Sequence, residues 1–306
     1  MKKNTAIAAV ILAAGMMTAC GKNEPSAPSE IVVGGSATEQ AENSVFPVKL
    51  TDGTEIPSSP SSCASLSPAV TEILSELGYS DRLCAVCRYC DQPEGLELPR
   101  AGSSENPDID KLTALAPEVV FTLSPLAERE VYALEQAGIT VVDLAAPRSV
   151  EDYGELYGTV TTVFEGVEAG EAAAEKAVSD LKAAASSVEE CTFIYVTPKL
   201  TAAGADTFES AVLSLCGENL CAGAGYISPA VEAGAESFKD VPEYIFAADS
   251  LTEADISAID IYAEMISGGA EVIFLPAERF ERPSARLTEV FRAITSGTAE
   301  KQTSEE

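Results

Sequence analysis

The 306-residue chain has no histidine and no tryptophan, and it carries only 19 lysines and arginines against 49 acidic residues. Without histidine, Ser-His-Asp and Cys-His nucleophilic arrangements and the common zinc sites are excluded. The formal charge of −30 repels nucleic acid and anionic lipid, which argues against a nucleic-acid partner. After the first twenty residues no apolar run is long enough to span a bilayer. An even set of cysteines is also missing. Seven follow Cys20, namely Cys63, Cys84, Cys87, Cys90, Cys191, Cys216 and Cys221, and an odd number cannot all pair within one chain. Several lie in apolar stretches, where a free thiol behaves as a small hydrophobe.

What is present begins with a leader. Lys2 and Lys3 precede the short apolar run Thr5–Met17, and the small residues Thr18 and Ala19 lead directly to Cys20. A secretory signal that ends in cysteine rather than A-x-A is the bacterial lipobox pattern, with Met17 a less usual residue at its first position. The expectation is removal of residues 1–19, lipidation of Cys20 and an extracytoplasmic chain tethered to the cell membrane, its lipid the one anchor. Residues 20–44 are rich in Ser, Gly, Pro, Ala and Glu and read as a flexible tether.

The remainder alternates strand and helix. A hairpin is expected at Phe46–Ile56 around Asp52-Gly53. Strands follow at Cys63–Leu66, Leu83–Val86, Glu118–Leu123 and Thr140–Leu144, with helices from Val70 to Leu77, at Ile109–Leu115 and at Glu128–Ala137. Val150 to Ala185 reads as nearly continuous helix, with a break at Gly166. The alternation then restarts: strands Thr192–Thr197, Glu243–Ala248 and Glu271–Leu275, and helices Phe208–Leu215, Ile256–Ile266 and Ser284–Ile294. This is an α/β chain with two lobes of parallel sheet flanked by helices. The expected boundaries are 45–149 and 188–297 for the lobes, 150–187 for the connecting segment and 298–306 for a disordered tail.

Several stretches resemble one family. Ser62–Ile73 (SCASLSPAVTEI), Arg88–Glu94 with Leu98-Pro99-Arg100 and Gly102, Asn106–Leu112 with Leu115, Pro117 and Glu118, and Phe280–Arg286 (FERPSAR) follow its order and spacing. The family is the helical-backbone periplasmic-type binding proteins that serve ABC importers of cobalamin, iron–siderophores and haem, and the likeness is strongest to the vitamin B12-binding branch. The resemblance implies two Rossmann-like lobes joined by a single long helix at about Glu168–Ser186, with ligand in the cleft between them. It also implies a monomeric receptor without catalysis or intrinsic cofactor, whose cargo is a corrinoid or a ferric chelate and whose partners are a permease and its ATPase.

By that resemblance Tyr89 meets the ligand from a loop after the second strand, or else packs on its own lobe. Arg88 meets an anionic group or is solvated. Ser104 and Leu123 occupy positions where cobalamin-binding members carry tryptophan. Glu278, Arg279 and Arg282 follow the last strand toward the cleft, and Arg286 reads as structural. Asp110 and Glu236 match the acids that meet permease arginines. Cobalamin-type recognition is weakened by the absence of tryptophan, and haem by the absence of histidine. A cluster of Arg88, Arg100, Arg279 and Arg282 would suit a siderophore. Cys84, Cys87 and Cys90, spaced C-x2-C-x2-C, leave open a metal or redox protein. Against that, the fourth cysteine of an iron–sulfur run is missing, and buried free thiols are the expectation. A surface adhesin is the remaining alternative.

Overall fold

The computed structural model describes residues 45–229, 237–238 and 240–304, with side chains through residue 297. The leader, Cys20, the tether and Glu236 lie outside the described residues. Among the described residues, no helix is long and apolar enough to cross a membrane.

The chain opens with a two-stranded antiparallel hairpin, β1 (Val48–Lys49) and β2 (Glu55–Ile56), turned at Gly53 with φ +94°. The first lobe comprises β3 (Cys63–Ser65), α1 (Pro68–Glu76), β4 (Leu83–Ala85), the small ribbon β5 (Gly102–Ser103) and β6 (Asn106–Pro107), α2 (Ile109–Leu115), β7 (Val119–Thr122), α3 (Glu128–Gln136) and β8 (Thr140–Asp143). Its sheet runs β4-β3-β7-β8, every pair parallel. All residues of β3 and β7 are buried, as expected of strands covered by helices on both faces.

The connecting segment is α4 (Val150–Glu165) and α5 (Val167–Ala185). The break falls at Gly166, at φ +91°. The glycines that weaken the helical pattern of α4 have a packing role. A Cβ on Gly158 would lie 3.1 Å from Ala174 Cβ, and one on Gly154 would lie 3.0 Å from Ala174 O. One on Gly170 would overlap Thr162 and lie 2.6 Å from Gly158 O. As α4 advances its partners on α5 recede, so the two form a close antiparallel pair joined at Gly166. Ser149 caps α4 by accepting from Asp152 N.

The second lobe comprises β9 (Cys191–Val196), β10 (Ala202–Ala203), α6 (Phe208–Leu213), β11 (Gly217–Asn219), β12 (Tyr226–Ile227), β13 (Tyr244–Ala248), α7 (Glu253–Ser257), α8 (Asp260–Ser267), β14 (Glu271–Leu275), α9 (Glu278–Glu281) and α10 (Glu289–Ser304). The path is β12-β10-β9-β13-β14, with β11 also on β9. The pairs β9–β13, β13–β14 and β9–β11 are parallel, while β10 runs against both neighbours. One apolar cluster joins the lobes, running from Val48 and Ile73 through Tyr153 and Leu181 to Phe246 and Phe291.

Two helices differ from expectation. The single helix over Ile256–Ile266 is two, because Ile259 is extended (φ −100°, ψ 116°) and Thr252 and Asp255 cap α7 reciprocally. The split allows Ile256 and Tyr262 both to reach zero exposure. The final helix begins later and ends later: Ala285–Thr288 is a 3-10 turn, and α10 continues to Ser304. The expected tail therefore is helical through its good helix formers Ala299, Glu300, Lys301 and Gln302.

Candidate functional site

Parallel strands bring all their carboxyl ends, and the loops leaving them, to one side of a sheet, where open α/β folds bind ligands. Arg282, shortly beyond β14, donates to Asp91, shortly beyond β4, at 2.9 Å. That contact sets the carboxyl ends of the two sheets beside each other, and the space they flank is the candidate cleft.

The first wall is the loop from Val86 to Gly102. Cys87 and Cys90 form a disulfide across its tip, which corrects the expectation of free thiols at these two positions. A two-residue spacer curls the backbone enough for the pair to meet, as Cys90 N donating to Cys87 O shows. Cys63, Cys84, Cys191, Cys216 and Cys221 are free, and among the described residues no cluster suited to a metal ion exists. Arg100 Nη1 donates to the carbonyls of Cys87, Arg88 and Cys90 at 2.9, 3.3 and 2.6 Å, and Gln92 exchanges two hydrogen bonds with Leu98. This ordered loop holds Tyr89 out, 59 % exposed, with the exposed Arg88 guanidinium 5.4 Å from its ring centre. Ser104 donates to Leu66 O and accepts from Thr122, tying strand ends together. Leu123 is half-buried at the end of β7.

The second wall is α9 together with the segment running on to Arg286. Arg279 is only 6 % exposed and pairs with Glu278 and Glu289, both at 2.8 Å. It is the most buried of the arginines expected here, more so than Arg286, which meets Glu289 from a half-exposed position. Arg282 pairs with Asp91 and also faces Glu72 at 3.8 Å. The four arginines therefore do not gather: Arg100 holds a loop, Arg279 is enclosed by carboxylates, Arg282 spans the lobes, and Arg88 alone stands open. Acids are more numerous at this wall, where Glu209, Asp249 and Glu281 lie close enough to Tyr195 that, after burial itself, they hold its phenol protonated.

Behind the cleft lies a latch that sequence reasoning did not identify. Ser284 donates to Glu72 at 2.6 Å, Ala285 N donates to Glu76 at 3.1 Å, and Tyr157 donates to Glu76 at 2.6 Å. Tyr153 donates to Ser284 O at 3.2 Å. Burial keeps the Glu76 carboxyl above its usual range, against the opposing pull of the Tyr157 and Ala285 hydrogen bonds. The signal was available: Glu72 and Glu76 are four apart on one helix and share a face.

Asp110 is exposed in the first turn of α2, beside the capping Asp108. A cavity of about 750 Å3 sits among the β1–β2 turn, the carboxyl ends of β7 and β8, and the start of α4. Of the residues expected to meet ligand it contains Leu123 alone. Asp143 on its wall is held above the usual carboxylate range by burial, with Asp52 adding to the effect.

Residues 63–264 match the sequence model of a family described as periplasmic binding protein. The uncharacterized ABC transporter substrate-binding lipoprotein YvrC of Bacillus subtilis is 27 % identical over 236 residues, 70 % of this chain and 71 % of that protein. The vitamin B12-binding protein of Vibrio cholerae is 29 % identical over 161 residues, 50 % of this chain and 58 % of that one. Among solved structures, the periplasmic vitamin B12-binding protein of Vibrio cholerae superposes with TM-score 0.57 at 23 % identity, covering 78 % of this chain and 97 % of that one. The periplasmic haem-binding protein of the same species superposes with TM-score 0.62 at 17 % identity, over 78 % and 97 %.

Proposed function

The chain belongs to the periplasmic binding protein family, and we propose that it is the extracytoplasmic receptor of an ABC importer, capturing a corrinoid between its lobes. It is a binding protein rather than an enzyme, and the chelate is cargo rather than a resident cofactor. The observation that carries the choice of ligand is the dispersal of the arginines. A carboxylate-rich ferric chelate or the propionates of haem call for several convergent guanidinium groups. Of Arg88, Arg100, Arg279 and Arg282, Arg88 alone has no guanidinium hydrogen bond or ion pair among the described residues, its neighbour being the Tyr89 ring. Tyr89 offers an aromatic face beside it, suited to a broad ring with a neutral, amide-bearing edge. The curated vitamin B12-binding relative supports the same choice.

A second reading, haem, rests on the exposed phenol of Tyr89, which is open to coordinate ferric iron. Asp110 and Glu236 are proposed to meet the permease. Lipidation at Cys20 is proposed to hold the receptor at the membrane, where a tether keeps its local concentration high beside the permease. Thermal shift with cyanocobalamin, haemin and a ferric trihydroxamate separates these readings. Cyanocobalamin at about 100 times its Kd should stabilise the protein by about 2.7 kcal/mol. A shift with haemin or the trihydroxamate and none with cyanocobalamin contradicts the proposal.

A further inference from the structure

Three tyrosines are more than half exposed among the described residues: Tyr89, Tyr132 and Tyr226, at 59, 63 and 58 %. Tyr132 lies on α3, away from the strand ends. Tyr89 is on the first wall of the cleft. Tyr226 belongs to the second lobe, and its register settles its level there. Ala203 of β10 pairs with Tyr226, and the adjacent Ala202 pairs with Val196, the last residue of β9. β12 therefore runs with β9 and ends at the same carboxyl end. The charges near Tyr195 agree, since Tyr226 lies among them with Glu209, Asp249 and Glu281, and Tyr195 packs on Phe280 of α9 with ring centres 5.1 Å apart.

The ring is held in place. The Tyr226 hydroxyl donates to Glu209, 2.9 Å from one carboxylate oxygen and 3.0 Å from the other, and Glu209 is fixed in the first turn of α6. Gly204, Gly223 and Gly225 surround the strand. A Cβ on Gly204 would collide with the carbonyls of Gly223 and Gly225, so the chain passes closely here with no side chains at those positions to cover the ring. A surface aromatic that is more than half exposed, with its hydroxyl anchored, is arranged to receive something flat and apolar.

We propose that Tyr226 is the second lobe's contact for the ligand, presenting its ring face across the cleft from Tyr89 while Glu209 holds its hydroxyl away from the ligand. The proposal rests on the receptor reading above and deepens it. The role is stacking rather than metal coordination, because the hydroxyl is already engaged by both carboxylate oxygens of Glu209. The clamping carboxylate also sets a charge preference. A ligand edge brought to this wall meets Glu209, and a neutral or cationic edge is accepted where an anionic one is repelled.

The test is cyanocobalamin affinity, by equilibrium titration, of the wild type and of Tyr226→Ala, Tyr226→Phe, Glu209→Gln and Tyr132→Ala, with each variant's melting temperature measured alongside. Tyr226→Ala should weaken binding about tenfold or more, the size of one central aromatic contact, with melting within about 2 °C of wild type. Tyr226→Phe keeps the ring and should lose no more than about threefold. Glu209→Gln should fall between these, and Tyr132→Ala should match wild type. Unchanged affinity in Tyr226→Ala overturns the proposal while leaving the receptor reading intact. Equal losses in Tyr226→Phe and Tyr226→Ala also overturn it, because the hydroxyl would then be the contact. A wild type that takes up no cyanocobalamin overturns the corrinoid reading and this assignment with it.

Discussion

Removing the Tyr157 hydroxyl tests the support that α4 gives to Glu76, the carboxylate through which the first lobe also holds Ala285 of the second. Tyr157→Phe deletes the hydrogen bond from a ring 6 % exposed to the Glu76 carboxylate at 2.6 Å, and leaves the ring's edge contact with Tyr153 in place. Hydrogen bonds to a charged group contribute about 1.5–3 kcal/mol, against about 0.5–1.5 kcal/mol for neutral pairs. The substitution should therefore cost about 1.5–3 kcal/mol at pH 7.5. Ala285 N still donates to the same carboxylate oxygen, so Glu76 is not left bare and the cost should not exceed this range. In a protein of this size that corresponds to about 3–12 °C in melting temperature. The pH dependence has a definite sign. Glu76 in the folded protein titrates above its ordinary value of 4.5, so the folded state holds that proton more tightly than the unfolded chain. Its contribution is full below the ordinary value and is lost as pH rises through the folded value. At pH 4.5, the ordinary value, the folded-state Glu76 is more than half protonated, and the cost of Tyr157→Phe should fall toward about 0.5–1.5 kcal/mol. Urea unfolding followed by circular dichroism at 222 nm is the suitable assay, since the chain has no tryptophan to report. A cost below about 0.5 kcal/mol at pH 7.5, under the neutral-bond range, would refute the latch. An equal cost at both pH values would refute the charge state assigned to Glu76.

Packing and thiol burial set two other outcomes. Gly170→Ala gains about 1 kcal/mol of helix propensity but places a Cβ 2.6 Å from the Gly158 carbonyl. Because that neighbour is backbone, the clash should prevail, with a net loss of about 1–3 kcal/mol in the same urea assay; a stabilised variant would show the α4–α5 contact to be loose. In a Cys20→Ser chain, Ellman's reagent under denaturing, non-reducing conditions should count five thiols, matching the free cysteines. The native protein should react slowly, since burial raises the Cys191 and Cys216 thiols to about 11 and about 12. Seven titrating thiols would remove the Cys87–Cys90 bridge.

The fold was legible wherever periodicity and punctuation coincided. Ile109–Leu115 was placed to the residue, because Asp108 caps one end and Pro117 blocks the other. The break expected at Gly166 coincides with the one glycine of that segment at positive φ. The glycines at 154, 158 and 170 were visible only as weak helix formers, since their use is a contact with another helix that local sequence does not record. Strands β10 to β12 went unread because Ala-Ala, Gly-Glu-Asn and Tyr-Ile carry no alternation. The site divides in the same way. Tyr89 and its loop stand out in sequence, but a cluster of arginines drawn from composition depends on tertiary partners: Glu278 and Glu289 take up Arg279, and Asp91 and Glu72, far away in the chain, take up Arg282. Tyr226 was missed for the same reason, its level in the sheet being set by pairing with Ala203 rather than by any local signal.

Equilibrium dialysis of the purified protein against cyanocobalamin, with haemin dialysed in parallel and both read by visible absorbance, addresses the central claim most directly. The account predicts saturable uptake of cyanocobalamin at one per chain and weaker uptake of haemin, whose propionates would find, among the described residues, Arg88 as the one guanidinium of the four without a hydrogen bond or ion pair. Retention of haemin with cyanocobalamin passing freely through would contradict it.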